Sequence, residues 1–152
     1  MEQTKPHKIK SSFGYLMGKG LRMMRSLMDR KFKEKEMDIT MDQYVVLVHL
    51  WRKDGLKQQE LANYCGKDKT TLTRGLNLLE RQNWVLRIQD QLDKRIKRIF
   101  LTNKGKELEK VILDNMEEVM TEITKGINPE KMEICKEVLQ QMHNNMEKQL
   151  NN

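Results

Sequence analysis

The position of the prolines is the feature that most restricts what this chain can fold into. Pro6 and Pro129 are the only two, so the long stretch between them contains none. Proline ends helices because it lacks an amide donor and collides with the preceding turn. Met, Leu, Lys, Glu and Gln are frequent in this stretch, and all five are good helix formers. We therefore expect a mainly helical protein and not an all-β fold.

Length and hydrophobic content suit one folded domain over residues 1–152. Of these 152 residues 38% are hydrophobic, which is enough for a core without disulfide or metal staples. The two cysteines, Cys65 and Cys135, show no paired spacing, as expected in a reducing compartment. No apolar run has the length of a signal peptide or a membrane span. We expect a cytoplasmic protein.

Positive charge is concentrated in the middle of the chain. The net charge of 29 − 22 = +7 points to a polyanionic partner, either nucleic acid or an anionic membrane surface. Residues 67–98 carry nine Lys or Arg against four Asp or Glu, a net +5, whereas residues 104–152 carry seven against ten, a net −3. The middle segment is therefore expected to contact phosphate, and the C-terminal segment to contact protein.

The first third of the chain predicts two helices. Over residues 8–35, apolar side chains recur at steps of three and four, opposite a strongly basic face. Thr40 and Gln43 form a capping-box pattern that starts a second helix, and Gly55 follows its end. This second helix has no polar face, so we expect the rest of the domain to surround it.

A helix-turn-helix pattern comes next. A short helix over 58–64 ends near Gly66, which suits the left-handed conformation after a helix, and Asp68 can cap the following helix over 69–82. The inward face of that helix is leucine-rich, and its outward arc is small, polar and basic. The inward residues are Leu72, Leu76 and Leu79, and the outward ones are Thr70, Thr73, Arg74, Asn77 and Arg81. This arrangement is typical of a DNA-reading helix.

The remaining sequence predicts a β-hairpin and two long helices. Residues 84–88 and 95–101 are rich in β-branched and aromatic side chains on either side of a polar break. Thr102 can cap a helix that runs to about Lys125, and Asn128 followed by Pro129 is a strong start signal for the last helix. An apolar stripe follows this last helix along Met132, Cys135, Leu139, Met142, Met146 and Leu150.

The order of these elements resembles the MarR family of bacterial winged-helix regulators, over nearly the whole chain. The spacing D-x-R followed by L-T-x-x-G, downstream of a helix-turn-helix, is the most specific part of the resemblance. The matching segments are Leu61-Ala62, the run from Asp68 to Arg74, Leu79-Glu80, Asp93-Lys94-Arg95, Leu101-Thr102 and Gly105. Asn83-Trp84 stands where the family usually has a glycine and an aliphatic residue.

The resemblance implies a mainly α fold with a small β-hairpin wing. Residues 40–102 would form a winged helix-turn-helix DNA-binding lobe, and the long helices over 8–35 and 103–152 would form the dimer. A homodimer of this kind places its two lobes in adjacent major grooves of a pseudo-palindromic operator. The expected function is therefore that of a DNA-binding regulator, a repressor, with double-stranded DNA as partner.

The residues expected to contact DNA lie on the outward helix and on the wing. Polar side chains of the helix suit base edges, its first-turn amides suit phosphate, and a wing arginine suits the minor groove. These residues are Lys69, Thr70, Thr71, Thr73, Arg74, Asn77, Arg81, Lys94, Arg95, Lys97 and Arg98. Asp93, two residues from Arg95, is expected to hold the guanidinium in one orientation. The competing interpretations are solvated helix residues and a surface ion pair of little energetic weight.

The resemblance also implies a site for a small phenolic or anionic effector, in a cleft between the dimer helices and the DNA-binding lobe. The residues placed to border it are Met17, Met24, His49, Met116 and Met120. Core packing is the competing interpretation for the methionines, as is a hydrogen-bonded core histidine for His49. Redox sensing in the family uses a cysteine in the N-terminal helix, and here none precedes Cys65, which we interpret as a buried thiol at a helix end rather than a reactive one.

No metal, cofactor or catalytic site is expected. His7, His49 and His143 are widely separated, the cysteines are unpaired, and neither a nucleophile with its base nor a pair of acids stands out. An enzyme is therefore excluded. The alternative from another class is a helical protein that binds a membrane surface or a partner through the basic face of residues 8–35. The placement of charge separates the two, because DNA binding needs residues 69–98.

Overall fold

The computed structural model describes residues 9–150 of the chain. Within that range the fold is mainly helical, with a small antiparallel sheet. The helices are α1 (Phe13–Glu34), α2 (Met41–Arg52), α3 (Gln58–Tyr64), α4 (Lys69–Arg81), α5 (Asn103–Thr124) and α6 (Pro129–Leu150). The strands are β1 (Leu56–Lys57), β2 (Val85–Gln89) and β3 (Lys97–Leu101). The fold class expected from the sequence is confirmed.

The first helix is shorter than predicted. Residues 9 and 10 are helical, but the chain turns at 11 and 12, and Ser12 caps α1 by accepting a hydrogen bond from the Tyr15 amide at 3.4 Å. A serine hydroxyl competes with the backbone for that amide and therefore favours a helix start over a helix interior. The predicted start at residue 8 and His7 lie outside the described residues.

The predicted helix caps are confirmed. Thr40 and Gln43 form a reciprocal capping box at the start of α2, and the Asp68 carboxylate accepts from the Thr71 amide at 2.9 Å at the start of α4. Asn128 accepts from the Glu130 amide at 2.7 Å, with Pro129 as the first residue of α6. Each cap satisfies an amide that the helix itself leaves unpaired.

The sheet contains one strand that the sequence did not predict. Its order is β1-β3-β2, and β1 pairs with β3 through Leu56 opposite Ile99 and Lys57 opposite Arg98. A two-residue strand is too short for an alternating pattern, so only the β2–β3 hairpin was predictable. The extra strand fixes the base of the wing against the segment between α2 and α3.

The turn from α4 into β2 depends on a residue with a left-handed backbone. Asn83 has φ of 58°, the conformation that a glycine adopts without strain and that asparagine tolerates better than most residues. Asn83 therefore preserves this turn, although the family usually has a glycine at this position. Next to it, a Cβ on Gly105 would lie 2.1 Å from the Trp84 carbonyl oxygen, so α5 packs against this turn only with glycine there.

The described chain divides into two compact units, one ending at Val119 and the other beginning at Met120. In the first unit α2 lies in the core, as predicted, with Val46, Leu47 and Leu50 buried. Three of the four leucines of α4 are also fully buried, namely Leu72, Leu76 and Leu79, whereas Leu78 is exposed. The second unit contains the end of α5 and all of α6, whose side chains are all at least partly exposed. None of the helices described has an apolar run that could cross a bilayer.

Candidate nucleic-acid interface

The second helix of the helix-turn-helix, α4, turns its polar arc to solvent. Leu72, Leu76 and Leu79 occupy the buried face. Because successive residues of a helix are rotated by about 100°, the residues between these leucines are directed outward. The exposed residues of this arc are Lys69, Thr70, Thr71, Arg74, Asn77 and Arg81. Thr73 is half-buried, at the edge of α4 nearest α3.

Two threonine hydroxyls of α4 are already engaged within the protein. The Thr71 hydroxyl donates to Asp68 at 2.6 Å, and the Thr73 hydroxyl donates to the Lys69 carbonyl at 2.7 Å. Thr73 also accepts from the Gln58 side-chain amide at 2.9 Å, which ties α3 to α4. These two hydroxyls therefore position neighbouring groups, whereas the exposed Thr70 and Asn77 carry polar side chains that can reach outward.

In the wing, one carboxylate holds one arginine at three points. Asp93 accepts hydrogen bonds from the Arg95 amide at 3.0 Å and from Nε and Nη2 of its guanidinium at 3.2 Å each. The hydrogen bonds from Arg95 lower the pKa of Asp93, so the carboxylate stays ionised. The Arg95 side chain is 92% exposed, so the guanidinium is oriented but open to a ligand.

Arg98 occupies a different place from the other wing cations. Its Nε donates to Asp90, and its Nη1 donates to the Gly55 carbonyl at 3.0 Å. Asp90 also accepts from the amides of Leu92 and Asp93, so this pair closes the turn and joins it to β1. The structure therefore gives Arg98 an internal partner, where the sequence suggested a free cation for phosphate.

All four carboxylates of residues 67–98 are used internally. Asp68 caps α4, Glu80 pairs with Arg87, Asp90 with Arg98, and Asp93 with Arg95. Five exposed cations in the same segment make no ion pair within the described chain. They are Lys69, Arg74 and Arg81 on α4, and Lys94 and Lys97 on the wing. Internal pairing therefore leaves five exposed cations on α4 and the wing without a carboxylate partner, a number equal to the net charge of +5 for this segment.

A cationic groove lies between α4, the start of α3 and the wing. Its volume is about 600 Å³, and its lining contains five cations and no carboxylate. The lining residues are Lys57, Gln58, Gln59, Lys69, Thr73, Asn77, Arg87, Arg95, Ile96 and Lys97. Five of these residues were not predicted from the sequence, namely Lys57, Gln58, Gln59, Arg87 and Ile96. The available signal for the first three was their position at the start of the first helix of the helix-turn-helix pair.

Arg87 connects the wing to α4. The arginine forms an ion pair with Glu80 and donates from Nη2 to the Thr73 carbonyl at 3.2 Å. Its side chain is only 14% exposed, so it connects β2 to α4 from the interior side of the groove. This contact joins residues on different elements, which helical periodicity does not reveal.

The five residues expected to border an effector cleft differ in how far they are buried. His49 is half-buried and stacks on the Tyr64 ring at 5.4 Å, and partial burial lowers its pKa. Met24 is half-buried, Met116 packs against the core, and Met17 and Met120 are exposed. None of these five lines the groove or either of the two smaller cavities at residues 36–111 and 40–78.

The cysteines and candidate metal ligands show ordinary environments. Burial raises the pKa of the Cys65 thiol to about 11, so it is protonated at neutral pH, and Cys135 is exposed on α6. Among residues 9–150 no three His, Cys, Asp or Glu side chains lie close enough to share a metal ion.

Comparisons with known proteins agree with this geometry. A model described as MarR family matches residues 39–97. The uncharacterised HTH-type transcriptional regulator YybA of Bacillus subtilis (strain 168) is 30% identical over 114 residues, which are 75% of this chain and 76% of that protein. The crystal structure of the transcriptional regulator SlyA is 28% identical with a TM-score of 0.75, over 86% of this chain and 90% of that one. A crystal structure of MarR, at 24% identity, shares the fold with a TM-score of 0.80, over 88% and 96% of the two chains.

The exposed helix of the pair, the basic wing and the groove between them define a winged helix-turn-helix DNA-binding protein. The chain belongs to the MarR family of transcriptional regulators. Proteins of this family are regulators and not enzymes.

Proposed function

We propose that this protein binds a two-fold-related operator as a homodimer and represses transcription from it. The observation that carries the proposal is the set of exposed, unpaired cations on α4 and the wing, together with the oriented Arg95. A helix of this kind fits the major groove, while an arginine on a hairpin fits the narrower minor groove. Phosphate contacts position such a protein, and contacts to base edges specify the sequence.

The exposed residues of α4 divide into two roles. Thr70 and Asn77 supply polar groups to base edges, and Arg74 and Arg81 supply donors to guanine or phosphate. Lys69, with the amides of the first turn, contacts phosphate, as helix N-termini do. Thr71 and Thr73 act through the groups that they hold, because their hydroxyls are already bonded.

The wing contributes at least three residues. Arg95, held by Asp93, enters the minor groove with little rotamer freedom left to lose. Lys94 and Lys97 are exposed beside it and neutralise phosphates. Arg98 acts as a positioning residue for the turn through its bonds to Asp90 and Gly55.

The dimer is supported by the exposed apolar side chains of α6. No side chain of this helix is buried in the single chain. Exposed apolar residues along it include Ile134, Val138, Leu139, Met146 and Leu150. A surface of this kind marks an interface, and a dimer of two identical chains is the commonest way to cover it. Two lobes related by a two-fold axis read half-sites about 10 base pairs apart, centre to centre.

Release by a small phenolic or anionic effector is part of the proposal. The residues proposed to border its site remain Met17, Met24, His49, Met116 and Met120. Titration of the operator complex with a panel of phenolic acids tests this, and Met24→Ala should reduce the response to any acid that releases DNA. A panel that leaves the operator affinity unchanged counts against the effector.

The decisive experiment for DNA binding compares two variants with the same loss of charge. One carries Lys69→Gln, Arg74→Gln and Lys94→Gln, and the other carries Lys19→Gln, Arg22→Gln and Lys33→Gln on the exposed polar face of α1. The operator is first obtained by selecting bound sequences from random DNA. We expect the first variant to lose operator binding and the second to keep it, measured by fluorescence anisotropy at fixed salt.

The membrane-surface alternative predicts the opposite pattern. In that case liposome co-sedimentation depends on the α1 cations, and neither variant retains DNA. Part of the positive charge on α1 is already compensated within the protein. Arg25 pairs with Asp42 at 2.8 Å, and Lys31 pairs with Glu118 at 2.6 Å.

A further inference from the structure

The tip of the wing carries one apolar side chain that the protein leaves in water. Leu92 is 99% exposed, the highest value of any large hydrophobic residue in the described chain. It lies in the turn between β2 and β3, which also contains Lys94 and Arg95. Single exposed apolar residues are common on protein surfaces, so exposure alone assigns no role to Leu92. Its role follows from how the turn holds it and from the residues beside it.

The backbone on both sides of Leu92 is fixed by hydrogen bonds. One oxygen of Asp90 accepts from the Leu92 amide at 2.9 Å and from the Asp93 amide at 3.2 Å. The Asp90 amide donates to the Ile96 carbonyl, and the Ile96 amide donates to the Asp93 carbonyl, at 2.9 Å each. Arg98 donates to the other oxygen of Asp90. The turn therefore presents Leu92 at a defined place, although folding buries almost none of its side chain.

The neighbours of Leu92 indicate which partner can cover it. Lys94 and Arg95 are exposed in the same turn, and the Asp93 carboxylate is engaged with Arg95. An apolar side chain beside cations suits a partner with anionic rims and an apolar interior. The minor groove of DNA has this character, because phosphates border it and the C–H groups of the sugars form its walls. Its width of about 6 Å admits a single side chain, and many minor-groove proteins insert Leu, Ile or Phe there.

We propose that Leu92 enters the minor groove beside Arg95 and makes this contact selective for A·T base pairs. Its methyl groups pack against the sugars and displace water from the groove. In a G·C pair the amino group of guanine projects into the minor groove. The apolar side chain buries that donor without a partner, which disfavours G·C. The inference rests on the proposed function, since it requires the wing to bind the minor groove.

The first test compares three variants on the selected operator. Leu92→Ser removes the apolar side chain, and Leu92→Met retains an apolar one. Ile88→Ser is the matched control, because Ile88 is 48% exposed and alternates along β2 with Arg87, which lines the groove. We expect Leu92→Ser to weaken binding about tenfold at fixed salt, and the other two variants to bind as the unmodified protein does.

The dependence on salt separates an apolar contact from a charged one. Leu92→Ser removes no charge, so the slope of log Kd against log salt should equal that of the unmodified protein. Lys94→Gln removes a phosphate contact and should flatten the slope by about 1 unit. An unchanged affinity of Leu92→Ser, or an equal loss in Ile88→Ser, overturns the proposal.

The second test changes only the minor groove of the DNA. Replacing adenine by 2,6-diaminopurine adds the minor-groove amino group of guanine and leaves the major-groove pattern of adenine in place. The positions replaced are those at the wing, identified as the minor-groove positions that the unmodified protein protects from hydroxyl radicals and Arg95→Ala does not. We expect the replacement to weaken binding severalfold more in the unmodified protein than in Leu92→Ser. Equal losses in the two proteins, or a selected operator with G·C pairs at these positions, overturn the proposal.

These experiments separate a failure of this inference from a failure of the proposed function. If the unmodified protein selects no DNA sequence, the proposed function is wrong and Leu92 has no groove to enter. If the protein binds its operator and Arg95→Ala weakens that binding while Leu92→Ser does not, only the role of Leu92 is wrong. Circular dichroism of each variant checks the fold, which an exposed side chain does little to stabilise.

Discussion

At the scale of single residues, the wing depends on two aspartates with different tasks. Asp93 orients Arg95 toward solvent, and Asp90 ties the turn to Arg98 and to two backbone amides. Although both are acids within a basic surface, each increases the order of that surface. Removing either one therefore tests geometry rather than charge.

The first prediction concerns Asp93 and Arg95. Arg95→Ala should weaken operator binding about tenfold to a hundredfold, because a lost specific contact is worth about 1–3 kcal/mol. Asp93→Ala should reproduce part of this loss although it removes a negative charge, since the guanidinium then loses rotamer entropy on binding. The measurement is the dissociation constant for the selected operator at constant salt. Tighter binding by Asp93→Ala would show that the wing acts only through its net charge.

The second prediction is a dependence of stability on pH. The hydrogen bond from Arg98 lowers the pKa of Asp90 from 3.8 to about 2. Because this pKa is lower in the folded state, the ionised carboxylate stabilises the protein above about pH 4, and this contribution is lost as the pH falls towards 2. In Asp90→Asn the unfolding free energy should therefore decrease less over this pH interval than in the unmodified protein. Urea titration at several pH values measures this decrease. Asp114→Asn, which removes an exposed acid on α5, is the control for the loss of one carboxylate.

How much of this site the sequence reveals depends on the distance between partners. Asp93 and Arg95 are two residues apart, so their contact needs only the local turn. Arg98 meets Asp90 eight residues away across the hairpin, and Arg87 meets Glu80 across the boundary between helix and strand. Those pairings depend on the register of the hairpin and on how the strand sits on α4, which one sequence does not specify.

At the scale of elements, the starts of the helices follow from capping residues, while the contacts between elements do not. Thr40, Asp68 and Asn128 each mark a helix start because one side chain satisfies an amide nearby. The strand β1 forms only because β3 lies beside it, so its two residues carry no sequence pattern that predicts a strand. The close approach of α5 to the turn before β2 was likewise visible only in the structure.

That close approach gives the third prediction. Gly105→Ala should destabilise the protein by about 3 kcal/mol, since the new Cβ collides with the backbone carbonyl of Trp84 and forces it to move. Gly75→Ala is the matched control, because nothing lies within 4 Å of its Cβ position and alanine favours the helix by about 1 kcal/mol. Thermal and urea unfolding measure both. Equal stability of the two variants would show that α5 is free to shift at this point.

At the scale of the whole molecule, α6 is the element that a single chain leaves without a buried side chain. The fourth prediction is that deletion of residues 128–152 yields a monomer that binds the operator weakly. One lobe alone has only one half-site's contacts, and the entropic advantage of binding both half-sites together is lost. Analytical ultracentrifugation reports the mass, and anisotropy reports the affinity.

A truncated chain that remains a dimer with full operator affinity would contradict the role assigned to α6. The circular dichroism of the truncated protein provides the control for folding. The core of the first unit, which ends at Val119, contains the buried leucines and α2, so we expect its thermal transition to persist.

The order of the sheet has a consequence for solubility. β2 is an edge strand, and hydrogen bonds at both of its ends, from Thr102 to Trp84 and from Asp90 to Ile96, show that the amide of Arg87 points away from β3. Glu80 accepts a hydrogen bond from that amide at 3.2 Å and so occupies the middle of the open edge. An uncovered edge is a template on which a second chain can add a strand.

The fifth prediction concerns Glu80, which covers the open edge of β2. Glu80→Ala should form thioflavin-positive aggregates faster than the unmodified protein on mild heating, because the edge of β2 and the exposed Leu86 and Ile88 beside it become available for strand pairing. Glu109→Ala, which removes an equal charge from α5, should aggregate no faster than the unmodified protein. Equal aggregation rates for the two variants would show that Glu80 does not protect the edge of β2. We therefore expect one carboxylate, which pairs with Arg87 and joins the wing to α4, also to prevent separate molecules from polymerising through their sheets.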